Sequence, residues 1–147
     1  MIKDNFPIKG DLHIVIKDAL TGEVKLDRLE KNLVVTAGKD WIASRMAGTS
    51  SNVMGYMAVG TDSTAPAAGN TTLGAEVARV SLTSTTPSTN TVTYVATFGA
   101  GTGTGALTEA GLFNASTSGT MLSRTTYSVI NKGSGDEMTV TWVVTVG

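Results

Sequence analysis

The sequence predicts a mainly β fold: an antiparallel β-sandwich, or a jelly-roll-like barrel, with an N-terminal β-hairpin and one short α-helix. Through the second half of the chain, apolar or alternating segments recur about every eight to twelve residues between turns, which is the spacing of a sandwich or a barrel. The turns are rich in Gly, Ser, Thr and Asn. The 147 residues are enough for one domain with its own core, so we expect a single domain over residues 1–147.

Residues 1–35 are expected to form a hairpin or arm that packs, together with the helix, on one end of the sandwich. Segments 11–18 (DLHIVIKD) and 23–30 (EVKLDRLE) have strand-like patterns. Gly22 lies between them and can take the positive φ of a turn. Leu33 and the two valines that follow it then lead into the core.

Residues 36–48 contain the one clear helical pattern. We expect Thr36 to be the N-cap, Asp40 to lie in the first turn near the positive end of the helix dipole, and Gly48 to end the helix. Apolar side chains at helical spacing should face the sheet: Trp41, Ile42 and Met46.

Residues 53–147 are expected to form the sandwich. The predicted strands are 53–59, 77–83, 91–98, 106–115, 121–130 and 138–146, with a long polar loop at 60–73 and a turn at 85–90. Alternate side chains of a strand share one face. That rule predicts one apolar face in each of two strands: Val92, Tyr94, Ala96 and Phe98 in the first, and Val140, Trp142, Val144 and Val146 in the second.

The glycine run at 99–105 raises the question of a nucleotide site. Residues 101–106 (GTGTGA) fit G-x-G-x-x-[G/A] and follow the predicted strand 91–98. A pyrophosphate loop needs a helix at its end, because the helix N–H groups and dipole hold the phosphates. Here Gly111 interrupts the next segment, no βαβ unit surrounds it, and no acidic residue lies about twenty positions on. We interpret the run as a loose connection between two strands.

Composition restricts the other chemistry. There are no cysteines, so disulfides, thiolate zinc sites and cysteine nucleophiles are excluded. The net charge of −1 gives no basic field for nucleic acid or an anionic membrane. His13 is the one histidine, and we interpret it as a strand residue that is exposed or hydrogen-bonded rather than catalytic. We expect no cofactor, no metal and no enzyme activity.

One alternative enzymatic interpretation stays open at this point. The two carboxylates of a glycoside hydrolase are brought together by the fold and have no fixed spacing in the sequence, so a sequence alone does not reveal such a pair. Aromatic residues, which stack on sugars, make up only 5% of the chain, and this low share disfavours a sugar-cleaving site.

Glu109 is the most informative charge. It lies among apolar neighbours in 107–113 (LTEAGLF), and alternation places it on the face opposite Ala110 and Leu112. If it is buried, it needs a partner, because an unpaired charge in a low dielectric is costly. The candidate partners are Arg79, Arg124 and Lys132. The alternative is an exposed strand residue.

Four segments resemble a family of small structural proteins of tailed bacteriophages, usually labelled tail-fibre or virion structural proteins. They are 32–46 (NLVVTAGKDWIASRM), 54–79 (MGYMAVGTDSTAPAAGNTTLGAEVAR), 97–114 (TFGAGTGTGALTEAGLFN) and 130–146 (INKGSGDEMTVTWVVTV). Segment 108–113 also looks like an E-x-G-L strand of phage fibre and baseplate proteins. The resemblance covers most of the chain from Asn32 onward.

The resemblance implies a non-enzymatic structural protein on the outer surface of the capsid or tail, made in the cytoplasm of the host bacterium. We expect a capsid decoration (cement) protein, a homotrimer that binds itself and the major capsid protein or other virion proteins. This placement is favoured because the sequence lacks shaft repeats and a coiled coil. The alternative is a short tail-fibre or baseplate subunit with a carbohydrate or receptor as ligand.

Large side chains are expected to anchor the interface, since such residues dominate binding energy. The candidate interface residues are Trp41, Met54, Tyr56, Met57 and Glu109. For the four uncharged residues, an ordinary place in the core is the competing interpretation.

Overall fold

The computed structural model describes residues 7–49 and 52–147. Residues 1–6 of the predicted arm therefore lie outside the described residues. The described residues form ten strands and one helix: β1 (Ile8–Asp18), β2 (Val24–Lys31), β3 (Leu33–Val34), α1 (Thr36–Met46), β4 (Tyr56–Gly60), β5 (Glu76–Ser81), β6 (Ser84–Ser88), β7 (Thr91–Phe98), β8 (Gly105–Phe113), β9 (Met121–Lys132) and β10 (Asp136–Val146).

The strands build two antiparallel sheets, each of five strands. Sheet I has the order β2-β1-β10-β7-β6, and sheet II has the order β3-β9-β8-β4-β5. The chain crosses between the sheets at the β2–β3, β5–β6 and β7–β8 connections and again between β9 and β10. The predicted antiparallel β-sandwich with one short helix is confirmed.

The predicted N-terminal arm is instead part of the sandwich. β1 lies between β2 and β10, and it pairs with β10 from Ile8 opposite Val146 to Asp18 opposite Asp136. The side chains of β1 that face the core are almost completely buried: Leu12, Ile14 and Ile16. The predicted hairpin of β1 and β2 is present, but its packing on one end of the sandwich is wrong: β10 pairs with β1 along its whole length, and the apolar face of β1 becomes part of the core between the sheets.

The main core lies between the two sheets. The predicted alternation in β7 and β10 is confirmed, because Tyr94 lies opposite Trp142 and Phe98 opposite Met138, all four buried. Sheet II covers these side chains with its own apolar face: Met57, Val59, Leu107, Leu112, Leu122 and Ile130.

Sheet II is covered on its other face as well. A second, smaller cluster lies there and consists of Val35, Ala58, Leu73, Phe113 and Met121. In sequence, Leu73 belongs to the loop at 61–75 and Val35 precedes α1. The long loop and the start of the helix thus supply the side chains that close this face.

The ends of α1 differ in part from the prediction. The N-cap is Val35, which makes no side-chain cap hydrogen bond, and the first turn contains no acidic residue, so the assignments of Thr36 and Asp40 are wrong. The helix begins one residue earlier than its cap pattern indicated. Its end is as predicted: Gly48 follows the C-cap with a φ of 72°, a left-handed conformation that favours glycine.

The packed side of α1 is narrow. Trp41 and Ile42 pack against the main core, as predicted, but the prediction for Met46 is wrong: it is the last residue of the helix and is 85% exposed. The helix backbone lies against the backbone of β9 at Gly38, where a Cβ atom would lie 2.1 Å from the carbonyl oxygen of Leu122. Glycine at this position lets the helix lie directly on the backbone of sheet II.

The segment predicted as a turn at 85–90 is largely a strand. β6 (Ser84–Ser88) pairs with β7, and all five of its residues are exposed. Pro87 is compatible with this position because β6 is a terminal strand and needs hydrogen bonds on one side only. The Ser/Thr/Pro composition resembles a turn, but β7 offers a free edge that pairs with it.

Replacing Gly38 by alanine should destabilise the protein by about 2 kcal/mol, because the new methyl group overlaps the backbone of β9. In an exposed helix the same change is stabilising by about 1 kcal/mol. Gly69→Ala is the matched control, since nothing lies within 4 Å of its Cβ position, and its effect should stay within about 0.5 kcal/mol. Urea unfolding measures both changes. Equal stabilities of the two variants would contradict this packing of the helix.

Candidate functional site

The glycine run forms a connection between the two sheets. It leads from β7 in sheet I to β8 in sheet II, so a strand, not a helix, follows it. Gly101, Gly103 and Gly105 have φ values of 81°, 65° and 144°, conformations that side chains with a Cβ atom rarely adopt. The interpretation as a β–β connection is confirmed, and the glycines allow the sharp change of sheet.

A buried lysine fixes this connection. The Lys132 ammonium group, at the end of β9, donates a 2.9 Å hydrogen bond to the carbonyl oxygen of Gly99. Burial lowers the pKa of Lys132, with Asp136 acting in the opposite direction. Lys132 therefore holds the glycine connection and is not the partner of Glu109.

His13 lies on the outer face of sheet I. Its Nε2 atom is 2.7 Å from Oδ1 of Asp27 on the adjacent strand β2, and both side chains are largely exposed. This position matches the predicted exposed, hydrogen-bonded strand histidine. A side-chain contact at such an exposed position contributes little stability.

Glu109 and Arg124 form a buried ion pair, which we call the loop clamp. Glu109 is 0% and Arg124 is 2% exposed, and the Arg124 Nε and Nη2 atoms lie 3.0 and 2.9 Å from Oε2 of Glu109. The residues come from neighbouring strands, β8 and β9. Of the two alternatives for Glu109, the structure shows the buried one, and of the three candidate partners it selects Arg124.

The loop clamp holds both ends of the long loop at 61–75. Glu109 accepts backbone N–H groups from the loop: Oε1 from Ala75 at 2.7 Å and from Asp62 at 3.3 Å, and Oε2 from Gly74 at 2.9 Å. These bonds satisfy a buried carboxylate that would otherwise be costly. The carboxylate thereby joins the beginning and the end of the loop.

Arg124 holds the middle of the same loop. Its Nη1 atom donates to the carbonyl oxygen of Thr64 at 3.0 Å and to Oδ1 of Asn70 at 3.1 Å, and Nη2 lies 3.4 Å from Oδ2 of Asp62. The planar guanidinium group offers donors in several fixed directions. One arginine therefore fixes three separate positions of the loop.

The loop fits closely around the clamp. A Cβ atom on Gly60 would lie 2.4 Å from Oε1 of Glu109, and one on Gly74 would lie 1.7 Å from Oδ2 of Asp62. Glycine is therefore needed at both positions to let the backbone reach the carboxylates. The Tyr127 hydroxyl group donates to the Glu109 carbonyl oxygen at 3.0 Å, and burial raises the pKa of that hydroxyl group.

A second arginine holds the turn between β8 and β9. The Arg79 guanidinium group lies 3.7 Å from the centroid of the Phe113 ring and donates to the carbonyl oxygens of Ala115 and Ser118, each at 2.9 Å. It also pairs with Glu76. A cation over an aromatic face is stabilising, so Arg79 fastens this turn to sheet II.

The candidate interface residues are not grouped on one surface. Met54 and Met57 lie in the main core with almost no exposure, so neither can anchor a partner, and for these two the core interpretation is correct. Trp41 is half-buried and donates from Nε1 to the Asn52 carbonyl oxygen at 2.8 Å. Tyr56 packs against the second cluster, and Glu109 is in the loop clamp.

The sequence did not show which strands are terminal. β2 and β6 end sheet I, and β3 and β5 end sheet II. Large apolar side chains are exposed on three of these four strands: Val24 and Leu29 on β2, Leu33 on β3, and Val77 on β5. We call these four residues the apolar edge set. A signal was present in segment 23–30, where Leu29 lies among charged residues, but it is visible only once β2 is known to be terminal.

Over residues 7–49 and 52–147, no group of three or more His, Cys, Asp or Glu side chains is placed to hold a metal ion. No helix in that part of the chain is both long and apolar enough to cross a bilayer. Comparisons of the chain with protein-family models, curated proteins and solved structures found no match.

Replacing Glu109 by glutamine should destabilise the protein by about 3–5 kcal/mol, because it removes the buried counter-ion of Arg124 and leaves only the partly exposed Asp62 carboxylate, 3.4 Å away. Glu137→Gln is the matched control. Glu137 pairs with Lys17 at 3.3 Å on the surface, and its loss should cost less than about 1 kcal/mol. Urea unfolding at neutral pH compares the two variants. Similar small losses in both would show that the loop clamp does not stabilise the fold.

Acid should weaken the attachment of the loop through Asp62. Hydrogen bonds from the backbone and side chain of Thr64, together with the Arg124 charge, hold the pKa of Asp62 below its ordinary value of 3.8. A lowered carboxyl pKa contributes stability above the unfolded-state pKa, and this stability is lost as pH falls through the folded-state pKa. The free energy of unfolding should therefore fall below pH 3.8, and less steeply in Asp62→Asn. Urea unfolding across this pH range measures the slope, and identical slopes would refute the assignment.

Proposed function

We propose that the chain is a non-enzymatic structural protein of a tailed-bacteriophage virion, a capsid decoration protein that stabilises the shell through contacts of its sheet edges. The observation that carries the proposal is the apolar edge set: large hydrophobic side chains are exposed on three of the four terminal strands. A terminal strand with free backbone groups and apolar side chains is a template for pairing with another chain.

The terminal strands lie on two opposite margins of the sandwich. Near the first margin, β2 contacts β9 and β1 contacts β3; near the second, β5 contacts β7. Leu29 and Leu33 belong to the first margin and Val77 to the second. A subunit with apolar contacts on two sides can join two neighbours, which is the task of a protein that links capsomers.

The rest of the surface suits a repeated particle. Only 16% of the residues are charged, and hydroxyl and amide side chains outnumber charged ones at the exposed positions. A shell presents many identical sites, and weak contacts add up through multivalency. Small edge contacts therefore suffice for a decoration protein, and no chemical step is required of any residue.

The phage origin in this proposal comes from the sequence resemblance of residues 32–146. The segments that carry it include the loop at 61–75 and strand β8 with Glu109, the parts that the loop clamp joins. The proposed partners are a second copy of the chain and the major capsid protein, and the proposed location is the outer surface of the capsid.

Quantitative mass spectrometry of purified virions of the phage that encodes the chain tests this proposal. The expected result is a copy number comparable with that of the major capsid protein, with matching density outside the shell in electron cryo-microscopy. The major capsid protein and a tail-tube protein are internal standards.

A copy number of a few per particle, with density at the tail, would contradict decoration and indicate a tail-fibre or baseplate subunit. Absence from the virion would contradict the whole proposal.

A further inference from the structure

In the part of the chain that the structure describes, no strand pairs with the outer edge of β2. β2 is the terminal strand of sheet I and pairs with β1 on one side. Next to this edge a groove of about 480 Å³ is lined by Asp11, Leu29, Glu30 and Lys31. Leu29 is 77% exposed and lies between the charged residues Arg28 and Glu30. An exposed terminal strand that carries a large apolar side chain is a site at which a strand of another chain can pair.

The pairing pattern shows which backbone groups are free. Hydrogen-bonded and non-bonded pairs alternate in an antiparallel ladder. The Asn32 N–H group donates to the Gly10 carbonyl oxygen at 3.1 Å, so every second pair from there onward is hydrogen-bonded: Leu12 with Glu30, Ile14 with Arg28, and Ile16 with Leu26. The backbone groups of the intervening residues therefore point away from β1: Asp27, Leu29 and Lys31.

We propose that β2 pairs antiparallel with β2 of a second copy, in the register that places Leu29 opposite Leu29 on a two-fold axis. In this register Asp27 faces Lys31 of the second copy, and Lys31 faces its Asp27, both on the outer face. On the inner face, Arg28 faces Glu30 of the second copy and Glu30 faces its Arg28. Each charge thus meets an opposite charge, and the one residue that meets itself is apolar.

The neighbouring two-fold registers are less favourable. A two-fold axis perpendicular to the sheet keeps each side chain on its own face, so the register can shift only in steps that place the axis on another residue. An axis at Arg28, at Asp27 or at Glu30 would place two like charges directly opposite, which is destabilising.

An axis at Leu26 is excluded by a different feature. The ladder between β1 and β2 changes register at Ile16/Lys17, where Lys25 is left without an opposite residue. Such a bulge bends and twists a strand and interrupts pairing along its edge. The regular part of β2 starts at Leu26 and continues to Lys31, and Leu29 lies inside it.

On the inner face, Arg28 already donates to the Ser128 carbonyl oxygen at 2.6 Å and lies 3.8 Å from Glu30 of its own strand, so only its remaining donors are available to Glu30 of the second copy. The outer-face side chains can exchange their existing contacts at little cost. Asp27 pairs with His13, and Lys31 pairs with Asp11 at 2.8 Å, all at exposed positions, where ion pairs contribute little. The Lys31 carbonyl oxygen already accepts from Thr125 Oγ1, and its second lone pair remains for the new strand.

The β2–β2 contact is one way in which the self-association in the proposed function can occur. It rests on the proposed function only because both treat the chain as a subunit of an assembly. It is two-fold, so it does not by itself close the trimer expected from the sequence. The oligomeric state of the purified protein tests the contact, whereas virion copy number tests the location, so one can fail without the other.

Sedimentation velocity of the purified chain over a concentration series tests the inference. The wild type should show a monomer–dimer equilibrium. Leu29→Lys places two positive charges on the axis and should weaken the dimer about tenfold or more. Leu20→Lys is the matched control, because Leu20 is 96% exposed in the β1–β2 turn, outside the paired segment, and its dimer should be unchanged. Circular dichroism confirms that each variant is folded.

A charge exchange fixes the register. Asp27→Lys faces Lys31 of the second copy and should weaken the dimer by a similar factor, and adding Lys31→Glu should restore it. A wild type that stays monomeric at every concentration would overturn the inference. So would a dimer or trimer that Leu29→Lys leaves intact, or a double variant without recovery.

Discussion

The buried pair of Glu109 and Arg124 is the constraint on which the rest of the structure depends. A carboxylate with no exposure must have its lone pairs satisfied, and here three backbone N–H groups of the loop at 61–75 and one guanidinium group do so. This loop is too polar to be held by apolar packing alone. By fastening it, the pair places Leu73 over the second apolar cluster and closes one face of sheet II.

Closing that face determines what remains for contact with other molecules. Sheet II packs on sheet I from one side and is covered by the loop and α1 from the other, so its surface is largely used. The outer face of sheet I and the terminal strands are left, and three of the terminal strands carry exposed apolar side chains. The proposed assembly function therefore rests on the contrast between sheet II, which is covered on both faces, and the terminal strands, which have an unpaired edge. In this proposal the glycine run only joins β7 to β8.

The sequence predicted what local patterning determines. Alternation located β7 and the core face of β10, and the isolated charge of Glu109 left two alternatives, a buried pair with three possible partners or an exposed strand residue. It did not predict the position of β1, because pairing with β10 joins residues from opposite ends of the chain. It left open whether Met54 and Met57 are core or interface residues, and it did not predict that 84–88 is a strand, since both depend on which strand lies alongside. The loop contacts of Arg124 leave no spacing signal, because they join residues far apart in sequence.

Amide hydrogen exchange of the purified protein, followed residue by residue at low and high concentration, tests the central claim most directly. The N–H groups of Gly74 and Ala75 lie in a loop but bond to Glu109, so they should exchange slowly at every concentration, like those of core strands. The outward N–H group of Leu29 should exchange fast in dilute protein and slowly in concentrated protein. Rapid exchange at Gly74 and Ala75 under all conditions would show that the ion pair does not hold the loop, and would contradict the account.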